Sequence, residues 1–163
     1  MLLIDHMPLC GLTGHEAGRM LLRRMYRAQF GAEPPEIRIA PRGKPCFEGD
    51  PVFFSITHTP HHAFCALSDR PVGIDAEELD RKISLKLAGK ILSPAEKRRF
   101  DAAPDREEFL LRLWVLKEAL VKCSGEGLRG YPDFTDFTPN DPRIRILEGC
   151  FVAVISKEEA HAL

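Results

Sequence analysis

Residues 109–124 read Phe-Leu-Leu-Arg-Leu-Trp-Val-Leu-Lys-Glu-Ala-Leu-Val-Lys-Cys-Ser, with no proline or glycine before Gly125. A run of this kind is a helix closed by the glycine just past its end. It is apolar almost all round, so it belongs at the centre of whatever fold the chain adopts. Yet it carries Lys117, Glu118 and Lys122. At about 100° per residue these three and Trp114 share an arc of roughly 140°. Charges on a buried helix are costly unless something compensates them. Two readings stand side by side here: a solvated Glu118–Lys122 pair at i,i+4, or a site in which these charges meet partners from elsewhere in the chain.

The chain has 163 residues, enough for one domain or two small halves packed together. Hydrophobic residues make up 44% and charged residues 29%, which places it among ordinary globular proteins and excludes disordered and fibrous classes. A formal net charge of -1 argues against a general nucleic-acid or membrane-surface binder, though not against a local basic pocket. Cys10, Cys46, Cys65, Cys123 and Cys150 are odd in number and scattered, with no CxxC pair. They read as reduced thiols of a cytoplasmic protein rather than as a disulfide frame or a zinc site. The apolar N-terminus is brief, contains Asp5 and has no basic lead, so it reads as a first strand; no run approaches the length of a membrane span.

Thr13-Gly-His-Glu16 has the form of a capping box and Gly31 is a natural stop, predicting a helix over 14–30. Ala17, Met20, Leu21, Met25 and Ala28 are its expected core face. Arg19, Arg23, Arg24 and Arg27 make the rest basic, either as a solvated face or as a receiver of phosphate. After the Glu33-Pro34-Pro35 break, short strands follow at 37–39, 52–56 with its Thr57-His58-Thr59 end, 61–67 and 72–77; Arg42-Gly43-Lys44-Pro45 forms a cationic turn. In the strand at 72–77, period two places Asp75 and Glu77 on one face and Ile74 and Ala76 on the other. Two carboxylates side by side either face water or call for a cation, and a hard divalent ion such as Mg²⁺ suits oxygen ligands. A short helix is expected from Ile83 to Lys90, another from Ser93-Pro94-Ala95-Glu96 through Phe100, and the long helix from about 105 to 124. Residues 143–147 and 150–155 close as a hairpin around Glu148-Gly149. The class is α+β, with no linker between independent domains.

Four stretches now stand in order: Gly43-Lys44-Pro45-Cys46, Phe54-Ser55-Ile56-Thr57-His58-Thr59, Val72-Gly73-Ile74-Asp75-Ala76-Glu77, and Trp114-x-x-Lys117-Glu118-Ala119-x-x-Lys122-x-x-Gly125-x-Gly127-Leu128. In this order and spacing they resemble the 4'-phosphopantetheinyl transferases, nearest the surfactin-synthetase-activating type. The resemblance runs over residues 43–128. Ala76 stands where that family commonly has a larger aliphatic residue, Thr57 where it has serine, and both ends of the chain are short by comparison.

The resemblance implies transfer of the 4'-phosphopantetheine arm of coenzyme A to a serine of an apo acyl or peptidyl carrier protein, releasing adenosine 3',5'-bisphosphate. It implies that Asp75, Glu77 and Glu118 hold Mg²⁺, and that His58 and Lys122 contact the phosphates with Thr57 beside them. By the same token Lys44 and its neighbours line the adenine pocket, and Glu118 accepts the serine proton. Arg19 and Arg42 are the candidates for the 3'-phosphate. The implied fold has two similar helix-plus-antiparallel-sheet halves, roughly 1–70 and 71–163, packed about a pseudo-two-fold axis as a single domain. Both walls of the cleft lie in one chain, so a monomer is expected, without nucleic-acid or membrane partners. The alternative is a member of the same fold that binds coenzyme A or a carrier without transferring anything.

Overall fold

Strands β5 (His62–Ser68), β6 (Val72–Glu78) and β8 (Cys150–Ser156) are buried along nearly their whole length, so both their faces must be covered. The rest of the chain supplies the covers. The computed structural model describes residues 1–41, 43–125 and 135–157. Besides those strands it contains β1 (Leu2–Pro8), α1 (Gly14–Phe30), β2 (Ile37–Ile39), β3 (Pro45–Phe47), β4 (Phe53–His58), α2 (Ala88–Ile91), α3 (Pro94–Asp101), α4 (Arg106–Ser124) and β7 (Ile144–Leu147). Two three-stranded antiparallel sheets have the orders β1-β5-β4 and β6-β8-β7, and β2 and β3 form a separate ribbon.

Period-two alternation sorts the core into three layers. Cys65 and Leu67 of β5 and Phe54 of β4 meet Leu21, Leu22, Met25 and Tyr26 of α1. Phe151, Ala153 and Ile155 of β8 meet Leu110, Leu113, Leu116 and Ala119 of α4. The opposite faces of the two sheets, Phe64 and Ala66 against Val72, Ile74, Ala76, Val152 and Val154, pack on each other. The layers therefore run α1, sheet, sheet, α4. Where β4 crosses β6 no ladder forms; side chains join them instead, with Ile74 N–H donating to Ser55 Oγ at 3.1 Å.

Helix ends follow the expected chemistry. Thr13 and Ser93 complete capping boxes with Glu16 and Glu96, and Gly31 and Gly125 close α1 and α4 in the left-handed conformation. Three expectations need correction. Met20 and Ala28 of α1 are exposed; the buried stripe is Ala17, Leu21, Leu22, Met25 and Tyr26. Tyr26 takes the inner place because its hydroxyl donates to Asp50 at 2.6 Å while its ring packs on Phe47. The predicted helix over 83–90 is a 3₁₀ turn at Leu85–Leu87 running into the single turn of α2, since Ser84 makes no capping bond. Lys117, grouped with Glu118 and Lys122 by its place on the helix arc, is buried instead. Its Nζ lies 2.8 Å from Glu96 Oε2, with both side chains buried. Glu96 also accepts from Phe137 N–H at 2.7 Å, which ties residues 135–137 onto α3 and α4.

Candidate active site

Alternation along β6 turns Gly73, Asp75 and Glu77 toward α4. Gly73 is there because nothing larger fits: a Cβ at this position would lie 1.9 Å from Ala119 O and 2.4 Å from Cys123 N, both backbone. The contact brings α4 down onto β6, and Lys122 Nζ then reaches Asp75 Oδ1 at 2.6 Å. Thr57 Oγ1 donates to the same oxygen at 3.2 Å. The second oxygen, Asp75 Oδ2, is buried with no hydrogen-bond partner among the described residues. Burial pushes the Asp75 carboxyl above its ordinary range, against the pull of Lys122 and Thr57. Two positions on, Glu77 Oε1 accepts from Trp114 Nε1 at 3.1 Å and pairs with Arg81. Glu118 is half-buried one helical turn before Lys122.

Beside this group lies a cleft of about 370 Å³. One wall is Gly14, His15 and Arg19 of α1, the Gly43–Pro45 turn, and Phe54, Ile56 and His58 of β4; the other is Val121, Lys122 and Gly125 at the end of α4. Its walls are mainly apolar, and among the described residues its charged or titratable side chains are Arg19, Lys44, Lys122, His15 and His58, with no acid. Such a lining suits a ligand that is both apolar in part and anionic. His58 lies flat over Gly14, where an added Cβ would stand 2.2 Å from the imidazole Cγ.

The cleft thus gathers His58, Lys122, Lys44 and Arg19 of the residues singled out from sequence. Thr57 is elsewhere: its side chain points into the seam between the sheets and serves Asp75. Lys44 lines the cleft with its stem, but its ammonium donates to Val72 O and Cys123 O, each at 3.1 Å. Arg42, Gly127 and Leu128 lie outside the described residues. His15 was not anticipated; the capping box located it in the first turn of α1 but carried no information about which way that turn faces. Trp114, on the same arc of α4, holds Glu77 through its indole N–H.

Whether the three carboxylates suit a hard cation can be tested on their surroundings. All offer oxygen, and the orphaned Asp75 Oδ2 lacks the positive partner that a buried carboxylate oxygen requires. Among the described residues no three His, Cys, Asp or Glu already converge on one point; Lys122 stands on Asp75 and Arg81 on Glu77. The donor chemistry fits, with resident cations on two of the three carboxylates, Asp75 and Glu77.

Comparison with known proteins adds an independent line. The family model described as the 4'-phosphopantetheinyl transferase superfamily matches residues 71–158, from just before β6 to just past β8. The 4'-phosphopantetheinyl transferase Sfp of Bacillus subtilis (strain 168) is 32% identical over 117 residues, 68% of this chain and 51% of that protein. The 4'-phosphopantetheinyl transferase HetI of Nostoc sp. is 31% identical over 137 residues, 77% of this chain and 58% of its own. A holo-[acyl-carrier-protein] synthase of Thermotoga maritima is 45% identical over 65 residues, 40% of this chain and 37% of that protein. The chain spans about half the length of the first two relatives.

Proposed function

The chain belongs to the 4'-phosphopantetheinyl transferase superfamily, and on that premise we propose that it transfers the 4'-phosphopantetheine arm of coenzyme A to a serine of an apo acyl or peptidyl carrier protein. The observation that carries this reading is the pairing of Lys122 with a buried, half-satisfied Asp75 at the edge of a cationic cleft. A serine oxygen forms a bond to the phosphorus nearest pantetheine, the pyrophosphate P–O bond breaks, and adenosine 3',5'-bisphosphate leaves. Transfer of this kind asks a protein for positioning and charge neutralisation more than for covalent help.

The parts divide as follows. Arg19, His15 and His58 receive the phosphates of the nucleotide end, with the Gly43–Pro45 turn beside the base. Lys122 neutralises charge that gathers on the leaving bisphosphate. Glu118, one turn away, accepts the serine proton. Asp75, Glu77 and Glu118 would hold Mg²⁺. When bound, that ion supplies neutralisation of the pyrophosphate. Trp114 keeps Glu77 aimed toward the same place. The two halves, roughly 1–70 and 71–163, are read as pseudo-repeats of one transferase domain. Because residues of both line the cleft, the working unit is a monomer. Five free thiols, two of them exposed, suit a reducing cytoplasmic setting.

The test is an incubation of the protein with coenzyme A, Mg²⁺ and a panel of apo carrier proteins, read by mass spectrometry. A phosphopantetheine mass shift on at least one carrier is expected, abolished by Glu118→Ala and by chelation of the metal. Coenzyme A bound but no carrier shifted would replace transfer with binding alone.

A further inference from the structure

Lys44 sits in the cleft wall, yet its charge does not face the cleft. The ammonium donates to Val72 O, at the start of β6, and to Cys123 O, in the last turn of α4. Its stem passes over Gly125, where an added Cβ would come within 3.2 Å of Lys44 Cδ. Cys123 O is among the last four carbonyls of α4, which have no partner within the helix and stand at its negative end. Burial lowers the ammonium's pKa, as expected of a cation spent on carbonyls away from water. One side chain from the turn between β2 and β3 therefore joins three elements, two of them in the other half of the molecule.

Two details give this junction a functional sense. The last turn of α4 carries Val121, Lys122 and Gly125, which form the far wall of the cleft, and Cys123 follows Lys122 directly. Behind the Lys44 stem lies a second, mostly apolar cavity of about 180 Å³, lined in part by Phe53, Phe54, Pro71 and Cys123. Lys44 lines both that cavity and the cleft, together with Pro45 and Phe54.

We infer that Lys44 is a positioning residue: a strut that fixes the Gly43–Pro45 wall against the end of α4, setting the width of the cleft and the aim of Lys122, without pairing with a phosphate. The inference rests on reading the cleft as the coenzyme A site.

The experiment compares wild type, Lys44→Met and Lys44→Gln in two measurements. Calorimetric titration with coenzyme A from low to high salt reads binding. Hydrogen exchange of the amides of residues 121–125 reads the end of α4. For a strut, Lys44→Met weakens coenzyme A about tenfold while the salt dependence of Kd stays parallel to wild type, because no screened ion pair has been lost. Amides 121–125 exchange about tenfold faster and those of α1 are unchanged. Lys44→Gln, which keeps a donor, falls between. A flattened salt dependence would make Lys44 a phosphate ligand and overturn the inference, as would unaltered exchange at 121–125. Failure of the wild type itself to bind coenzyme A would remove the cleft assignment, and the exchange data would still decide the strut.

Discussion

Asp75 is 5% exposed, has one oxygen shared by Lys122 and Thr57, and has the other buried without a hydrogen-bond partner among the described residues. A buried carboxylate in that condition costs stability that a neutral side chain of the same shape avoids. Lys122 is 31% exposed and can turn to water if released, while the Thr57 hydroxyl can accept from an amide. Asp75→Asn should therefore raise the Tm of chelated protein by a few degrees and abolish transfer, the usual opposition between a strained site and stability. A lower Tm for that variant would refute this account of the orphaned oxygen. At this scale the sequence is informative where a period fixes direction: alternation alone puts Asp75 and Glu77 on one face. The resemblance set Thr57 beside phosphates and Lys44 on the adenine pocket, but could not tell that their polar atoms turn from the cleft toward groups 18 to 79 residues distant.

Helix α4 is held in place by more than apolar packing. The Glu96–Lys117 pair is buried with Glu96 also accepting from Ser93 N–H and Phe137 N–H, at 2.9 and 2.7 Å. Removing one member leaves a buried charge unpaired, so Lys117→Met should cost about 3–5 kcal/mol in urea unfolding. Glu96→Gln combined with Lys117→Met should recover most of that loss, and additivity of the two would contradict a coupled pair. Strand β7 begins with another ion pair: Asp141 accepts from Arg143 N–H, Nε and Nη2 at 3.0, 2.8 and 2.7 Å. Burial pushes the Asp141 carboxyl up, but these bonds outweigh it and hold it below the ordinary value of 3.8. A depressed acid stabilises the fold above its unfolded pKa and loses that contribution as pH falls through the folded one. Asp141→Asn should melt several degrees below wild type at pH 7, with the gap closing in melts run toward pH 3. Both capping boxes and both terminal glycines were legible as local patterns, and so were the helices they bound. The Glu96–Lys117 pair was not, because Glu96 already had a local role at the start of α3 and Lys117 belonged to a charged motif; only packing of α3 on α4 gives them to each other.

In the whole molecule, neither three-stranded sheet owns a finished core. Phe64 and Ala66 of β5 and Phe53 of β4 pack against Val72, Ile74, Ala76, Leu147, Cys150, Val152 and Val154 of the other sheet. Residues 71–157 made alone should bind a hydrophobic dye and self-associate, whereas the intact chain should scatter light as an 18.4 kDa monomer. A cooperative, monomeric melt from the fragment would show that this segment completes its core without the first sheet. The apolar runs at 61–67, 72–77 and 150–155 announced strands, but which face of each meets which neighbour depends on side-chain contacts between distant segments, such as Ser55 with Ile74. The strand order also has a consequence for how the protein is made. β1, β4 and β5 can pair as soon as Ser68 has been synthesised, but β6 has no ladder partner until β8 emerges, after α4. Through that interval the growing chain carries a completed sheet with one greasy face uncovered. Translation therefore passes through a stage at which chaperone binding and self-association compete for that face.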